Sequence, residues 1–167
     1  MLPVDVITNL RVLRRARPKL RPGDVFTLSP AVDRFLFGRV LLADLPSGQA
    51  PMPTANLIYI YAAEAREPTP APLGQLVPAS LLLPPQFINR MPWTKGYFQN
   101  VAHEPLRRGD LLRQHCFWDS VRKTYRDETG RVLSARYEPC GEWALGSYRL
   151  LDDLVSDTLG IERAPGG

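Results

Sequence analysis

The chain is poor in the residues that most often hold metals or act as nucleophiles. It has two histidines, His103 and His115, and two cysteines, Cys116 and Cys140. Two cysteines build no disulfide framework, and in a reducing compartment they stay as free thiols. Eleven residues lie between the histidines and twenty-three between the cysteines, which matches no compact zinc pattern. No metal and no cofactor is therefore expected. Nor does any run approach the roughly 18 apolar residues that span a bilayer. At the N-terminus the charges follow the apolar residues instead of preceding them, unlike a secretory signal. These absences point to a cytoplasmic protein with no membrane partner. Long helices are excluded from the middle of the chain, because nine of the 17 prolines fall between Pro46 and Pro85.

Acid is almost missing from the first 21 residues. Arg11, Arg14, Arg15, Arg17, Lys19 and Arg21 face one acid, Asp5. The remainder holds 15 of the 21 bases and 16 of the 17 acids, so the net charge of +4 belongs to the arm and the body is near neutral. A basic arm can hold nucleic acid or an acidic partner. This one lacks the interleaved aromatics that grip single strands, so nucleic acid is not the expected partner. The division that follows is a basic arm (1–21), one globular domain (22–161) and a flexible tail (162–167).

Short apolar runs dominate the rest. Val25–Leu28, Phe35–Leu42 and Leu57–Tyr61 read as strands, the first two antiparallel across the loop at 29–34. Gly38 marks a bulge or a close backbone approach, and the tyrosines of the third strand alternate onto one face. Further short strands are expected at Leu81–Leu83, Trp93–Val101 and 111–118, with a hairpin around Asp127–Gly130. Val4–Leu13 has the spacing of a short helix. From Tyr148 to Leu159, Leu151, Leu154, Val155 and Thr158 form one buried stripe, with Asp152, Asp153, Ser156 and Asp157 mostly opposite. Ser147 is a good N-cap and Gly160 a good C-terminal stop. The expected fold is α+β and mainly β: a curved antiparallel sheet or partly open barrel closed by the C-terminal helix.

Candidate chemistry is sparse. A metal-free catalytic route would use Cys116 or Cys140 as nucleophile, His115 as base and Asp119 as a nearby polar group. Adjacent His115 and Cys116 on a strand would point to opposite faces, and both cysteines are equally well read as small buried hydrophobes. A binding module needs aromatic and arginine anchors instead. Trp93, Tyr97, Trp118, Arg122 and Tyr125 supply them, with Arg39 able to meet an anion, although most could serve as core. The phrases Arg21-Pro22-Gly23-Asp24 and Arg107-Arg108-Gly109-Asp110 read as one turn chemistry used twice.

Pro22-Gly23-Asp24-Val25-Phe26 through Phe37-Gly38-Arg39-Val40 resembles the opening of the immunity protein 26 family. Gly109-Asp110-Leu111-Leu112, His115-Cys116-Phe117, Glu138-Pro139-Cys140-Gly141-Glu142-Trp143, Gly146-Ser147-Tyr148 and Leu159-Gly160-Ile161 resemble that family's subgroup named for HocA-type phosphotriesterases. The first likeness implies a protein that neutralises a cognate bacterial protein toxin by binding it. The second implies a small hydrolase acting on organophosphate triesters. With a body this close to neutral, a highly basic toxin is not the expected partner.

Overall fold

Strands that are apolar on both faces need cover on both sides, and that requirement organises the molecule. In the computed structural model, which describes residues 7–166, the chain forms two sheets and one long helix. The strands are β1 (Asp24–Ala31), β2 (Arg34–Leu42), β3 (Asn56–Ala65), β4 (Gln86–Ile88), β5 (Gln99–His103), β6 (Cys116–Asp119), β7 (Thr124–Arg126), β8 (Val132–Leu133), β9 (Cys140–Glu142) and β10 (Leu145–Gly146). The α-helices among the described residues are the single turn α1 (Met91–Thr94) and α2 (Tyr148–Leu159). The larger sheet runs β10-β4-β3-β2-β1-β5 and the smaller β8-β7-β6-β9. All pairings are antiparallel except β10 with β4 and β6 with β9. The larger sheet does not close into a barrel.

Alternation along β2 and β3 sorts the core into two layers. Leu36, Val40, Ile58 and Ile60 face one way, onto Phe26, Phe98, Trp93 and the helix residues Leu151 and Val155. Phe35, Phe37, Leu57, Tyr59 and Tyr61 face the other way, with Phe87 of β4, onto Phe117 of the smaller sheet. Gly38 is the close approach between β1 and β3: a Cβ there would collide with Cζ of Phe26 and lie 2.6 Å from the Tyr59 carbonyl oxygen. Helix α2 begins as its caps dictate. The Ser147 hydroxyl accepts from the Leu150 amide at 3.1 Å, and Gly160 ends it in the left-handed conformation.

Four local expectations are corrected. Residues 7–13 are not helical, and Val4 to Val6 lie outside the described residues. Their amides find partners elsewhere in the fold instead of in a helical ladder: Arg11 donates to the Ser29 carbonyl on β1 and Leu13 to that of Gly96. Leu81–Leu83, between prolines, forms only an isolated bridge from Leu81 to Tyr61. Trp93 lies on α1, with Pro92 in its first turn, and the strand begins six residues later at Gln99. The stretch before Cys116 is loop, so β6 is four residues long.

The arm is not free of the body over its described part. Leu10 and Leu20 are buried in the helix-side core. Asp152 accepts from the amides of Asn9 (3.0 Å) and Leu10 (2.8 Å), and the Asn9 side chain donates to the Ser156 hydroxyl. The polar side of α2, read from sequence as solvent-facing, is therefore partly buried: Asp152 and Ser156 are each 1% exposed. The arm covers them.

Candidate functional site

The smaller sheet divides its side chains by the pleat. Phe117 is fully buried and meets Phe87 at 4.6 Å between ring centroids, sealing the junction between the sheets. Trp118 is the next residue along β6, so it stands on the opposite, outer face. There its ring packs on Tyr125, its cross-strand partner, with centroids 4.8 Å apart. Both rings are half-buried. Arg122 stands at the β6–β7 tip with its side chain 70% exposed, and Arg136 pairs with Glu138 beside Tyr125. A hollow of about 300 Å³, bounded by Asp127, Arg131, Leu133 and Tyr137, adjoins this face.

Asp119 shapes the tip. Its carboxylate accepts from the amides of Arg122 and Val121, each at 3.1 Å, and from Nε of Arg126 at 2.9 Å. The Arg122 amide, then the Arg126 side chain, hold its pKa below the usual carboxylate range. A buried aspartate engaged this way is a turn anchor. It does not meet His115 or either cysteine among its hydrogen-bonding partners.

His115 belongs to a different network. Its Nε2 lies 2.6 Å from the Tyr59 hydroxyl and its Nδ1 3.2 Å from Glu128 Oε2. The same hydroxyl accepts from the Leu112 amide at 3.0 Å. Burial pushes the Tyr59 phenol up to about 12, so it stays protonated and serves as a donor and acceptor. The His115 hydrogen bond holds Glu128 below the usual range.

Cys116 and Cys140 lie on the other side of β6 from this network. They are direct partners across the parallel β6–β9 pair, with 3.4 Å between sulfurs. Burial first, and then the neighbouring Cys116 thiol, push Cys140 up to about 12. The arrangement raises a thiol pKa where a nucleophile would need it lowered. Among the described residues, no three His, Cys, Asp or Glu side chains converge as a metal-binding group. The four residues considered for catalysis thus fall into three separate places.

The remaining candidate anchors are interior. Trp93 is 1% exposed, and Tyr97 packs against Tyr148 in the helix-side core. Arg39 shares one face of β2 with the buried Phe37 and Leu41, which turns it inward. Its guanidinium donates to the Glu104 carbonyl at 2.7 Å and pairs with Asp110 at 3.3 Å. These three are core residues, not surface anchors. The repeated Arg-x-Gly-Asp phrase makes the same hydrogen bond twice: Asp24 and Asp110 each accept the amide of the arginine three residues back, at 2.8 and 2.7 Å. The backbones differ, with Gly23 at positive φ and Gly109 in a 3-10 turn. His103 ends β5 and meets Asp24 at 2.8 Å. Sequence reasoning missed Glu128 and Asn9. Both depend on partners 13 or more positions away, and only the turn signal at Asp127–Gly130 marks the first.

Residues 21–127 match the family model of immunity protein 26, and the chain belongs to that family. The match takes in β1 through β7 and stops before β9 and α2. No curated protein and no solved structure matches the chain. The HocA-type half of the resemblance finds no support in these comparisons.

Proposed function

We propose that this chain is an immunity protein that binds a cognate bacterial toxin stoichiometrically, through the outer face of the smaller sheet. One observation carries the reading: the pleat puts Phe117 into the core and leaves Trp118 packed on Tyr125 outside, with Arg122 at the tip. Trp, Tyr and Arg are the residues that dominate binding energy when a partner desolvates them. Held on paired strands, with Asp119 fixing the turn, they lose little freedom on association. The body, residues 22–161, would be the binding unit and the arm its brace. No described helix is long and apolar enough to cross a membrane, which agrees with action in the cytoplasm of the producing cell. Hydrolysis of organophosphate triesters has no arrangement in its favour, because the thiols, His115 and Asp119 do not converge.

The test is co-expression with a candidate cognate toxin domain, scored by growth and by co-purification of an equimolar complex. Rescue by the wild-type chain, lost on Trp118→Ala with the fold intact, supports the proposal. A chain that fails to rescue from, or to bind, that toxin refutes it.

A further inference from the structure

The thiol pair sits on the same face of β6 as Trp118, two residues back along the strand. Cys116 and Cys140 are register partners on neighbouring parallel strands, with sulfurs 3.4 Å apart. Paired strands run about 4.8 Å apart, inside the roughly 4.4–6.8 Å Cα separation that a disulfide bridges. Strand β9 has little room to drift from this position. A Cβ on Gly141 would collide with the Pro85 carbonyl oxygen and lie 3.3 Å from Cδ1 of Phe117, so the strand is seated tightly beside Cys140. The two thiols differ in access: Cys116 is buried, while Cys140 is part-exposed. His115 is engaged with Tyr59 and Glu128 and takes no part.

We propose that Cys116 and Cys140 form a reversible dithiol–disulfide site, closed by exchange with a low-molecular-weight disulfide such as oxidised glutathione. Cys140 is the entry thiol. Its thiolate attacks one sulfur of the small disulfide, forms a mixed disulfide and releases one glutathione thiolate. The Cys116 thiolate then attacks Cys140 Sγ, forms the internal bond and releases the second glutathione. The protein loses two electrons and two protons, and the small disulfide is reduced to two thiols. Closure would tie β9 to β6 covalently and tether the 134–139 loop that carries Arg136 and Tyr137. Because the thiolate is the attacking species and burial disfavours it at Cys140, exchange is slow near neutrality and accelerates as pH rises.

The experiment incubates the full-length protein with oxidised glutathione from neutral to alkaline pH, then reads intact mass and denatured thiol content. The proposal expects the wild type to lose both titratable thiols and two hydrogens, retain no glutathione, and recover both thiols on reduction. Cys116→Ser should stop at a single glutathione adduct, and Cys140→Ser should react far more slowly or not at all. Three results would overturn it: thiols that stay free throughout, a wild type that keeps glutathione as its end product, or a disulfide that links two chains. None of these readouts depends on a toxin.

Discussion

The Tyr59 hydroxyl stands 2.6 Å from Nε2 of His115, a buried hydrogen bond between residues 56 positions apart. It ties the central strand of the larger sheet to the segment that feeds the smaller one. Removing the hydroxyl leaves His115 and the Leu112 amide without that partner while preserving the ring packing. Tyr59→Phe is therefore expected to cost about 1–3 kcal/mol, read as a lower urea midpoint at unchanged slope. A variant as stable as the wild type would mean that water replaces the hydroxyl without loss.

Acid should act on this same junction. The His115 hydrogen bond holds the Glu128 pKa below its ordinary 4.5, and the Arg122 amide does the same for Asp119. A folded-state pKa below the unfolded one gives stability that is complete above the unfolded value and fades as pH falls through the folded value. Urea midpoints should thus hold down to about pH 4.5 and decline below it. Glu128→Gln should flatten part of that decline. An identical acid limb in the variant would remove Glu128 from the cause.

Asp152 fixes the arm through the amides of Asn9 and Leu10. Asp152→Ala leaves both donors without their acceptor, at an expected cost of about 1–3 kcal/mol. Trypsin should then cut at Arg14 and Arg15 faster than in the wild type, while the helical circular dichroism persists. Unchanged cleavage would show that Leu10 and Leu20 suffice to hold the arm.

Gly38 has no room for a methyl group against Phe26 and the Tyr59 carbonyl. Gly38→Ala forces β1 and β3 apart, an overpacking penalty of about 1–3 kcal/mol or more. Thermal melting should show a clear fall, or the variant should accumulate as insoluble protein. A melting temperature equal to the wild type's would contradict the packing described.

Trp118→Ala should separate binding from folding. The indole is half-buried on Tyr125 and lies outside both core clusters, so the stability change should stay within about 1 kcal/mol. Toxin affinity should fall by at least about 30-fold, as expected for truncating a hot-spot tryptophan worth about 2 kcal/mol. Calorimetric titration with the toxin measures both affinity and stoichiometry. Equal affinities would move the interface elsewhere.

What the chain reveals by itself is what nearest neighbours decide. The apolar runs of β1, β2 and β3, the twice-used Arg-x-Gly-Asp hydrogen bond and the caps of α2 all rest on contacts or dihedrals set within a few residues, or on a pleat of period two. That same period is enough to send His115 and Cys116 to opposite sides. The tertiary structure decided the rest. Arg39 reads as outward because nothing nearby announces Asp110, and Asp152 reads as solvent-facing because Asn9 lies 143 positions away. Trp93 and Trp118 are the same residue type in similar apolar surroundings, yet one is core and the other surface. Which tryptophan is exposed depends on which sheet face the rest of the chain returns to cover, and that is a property of the assembled layers.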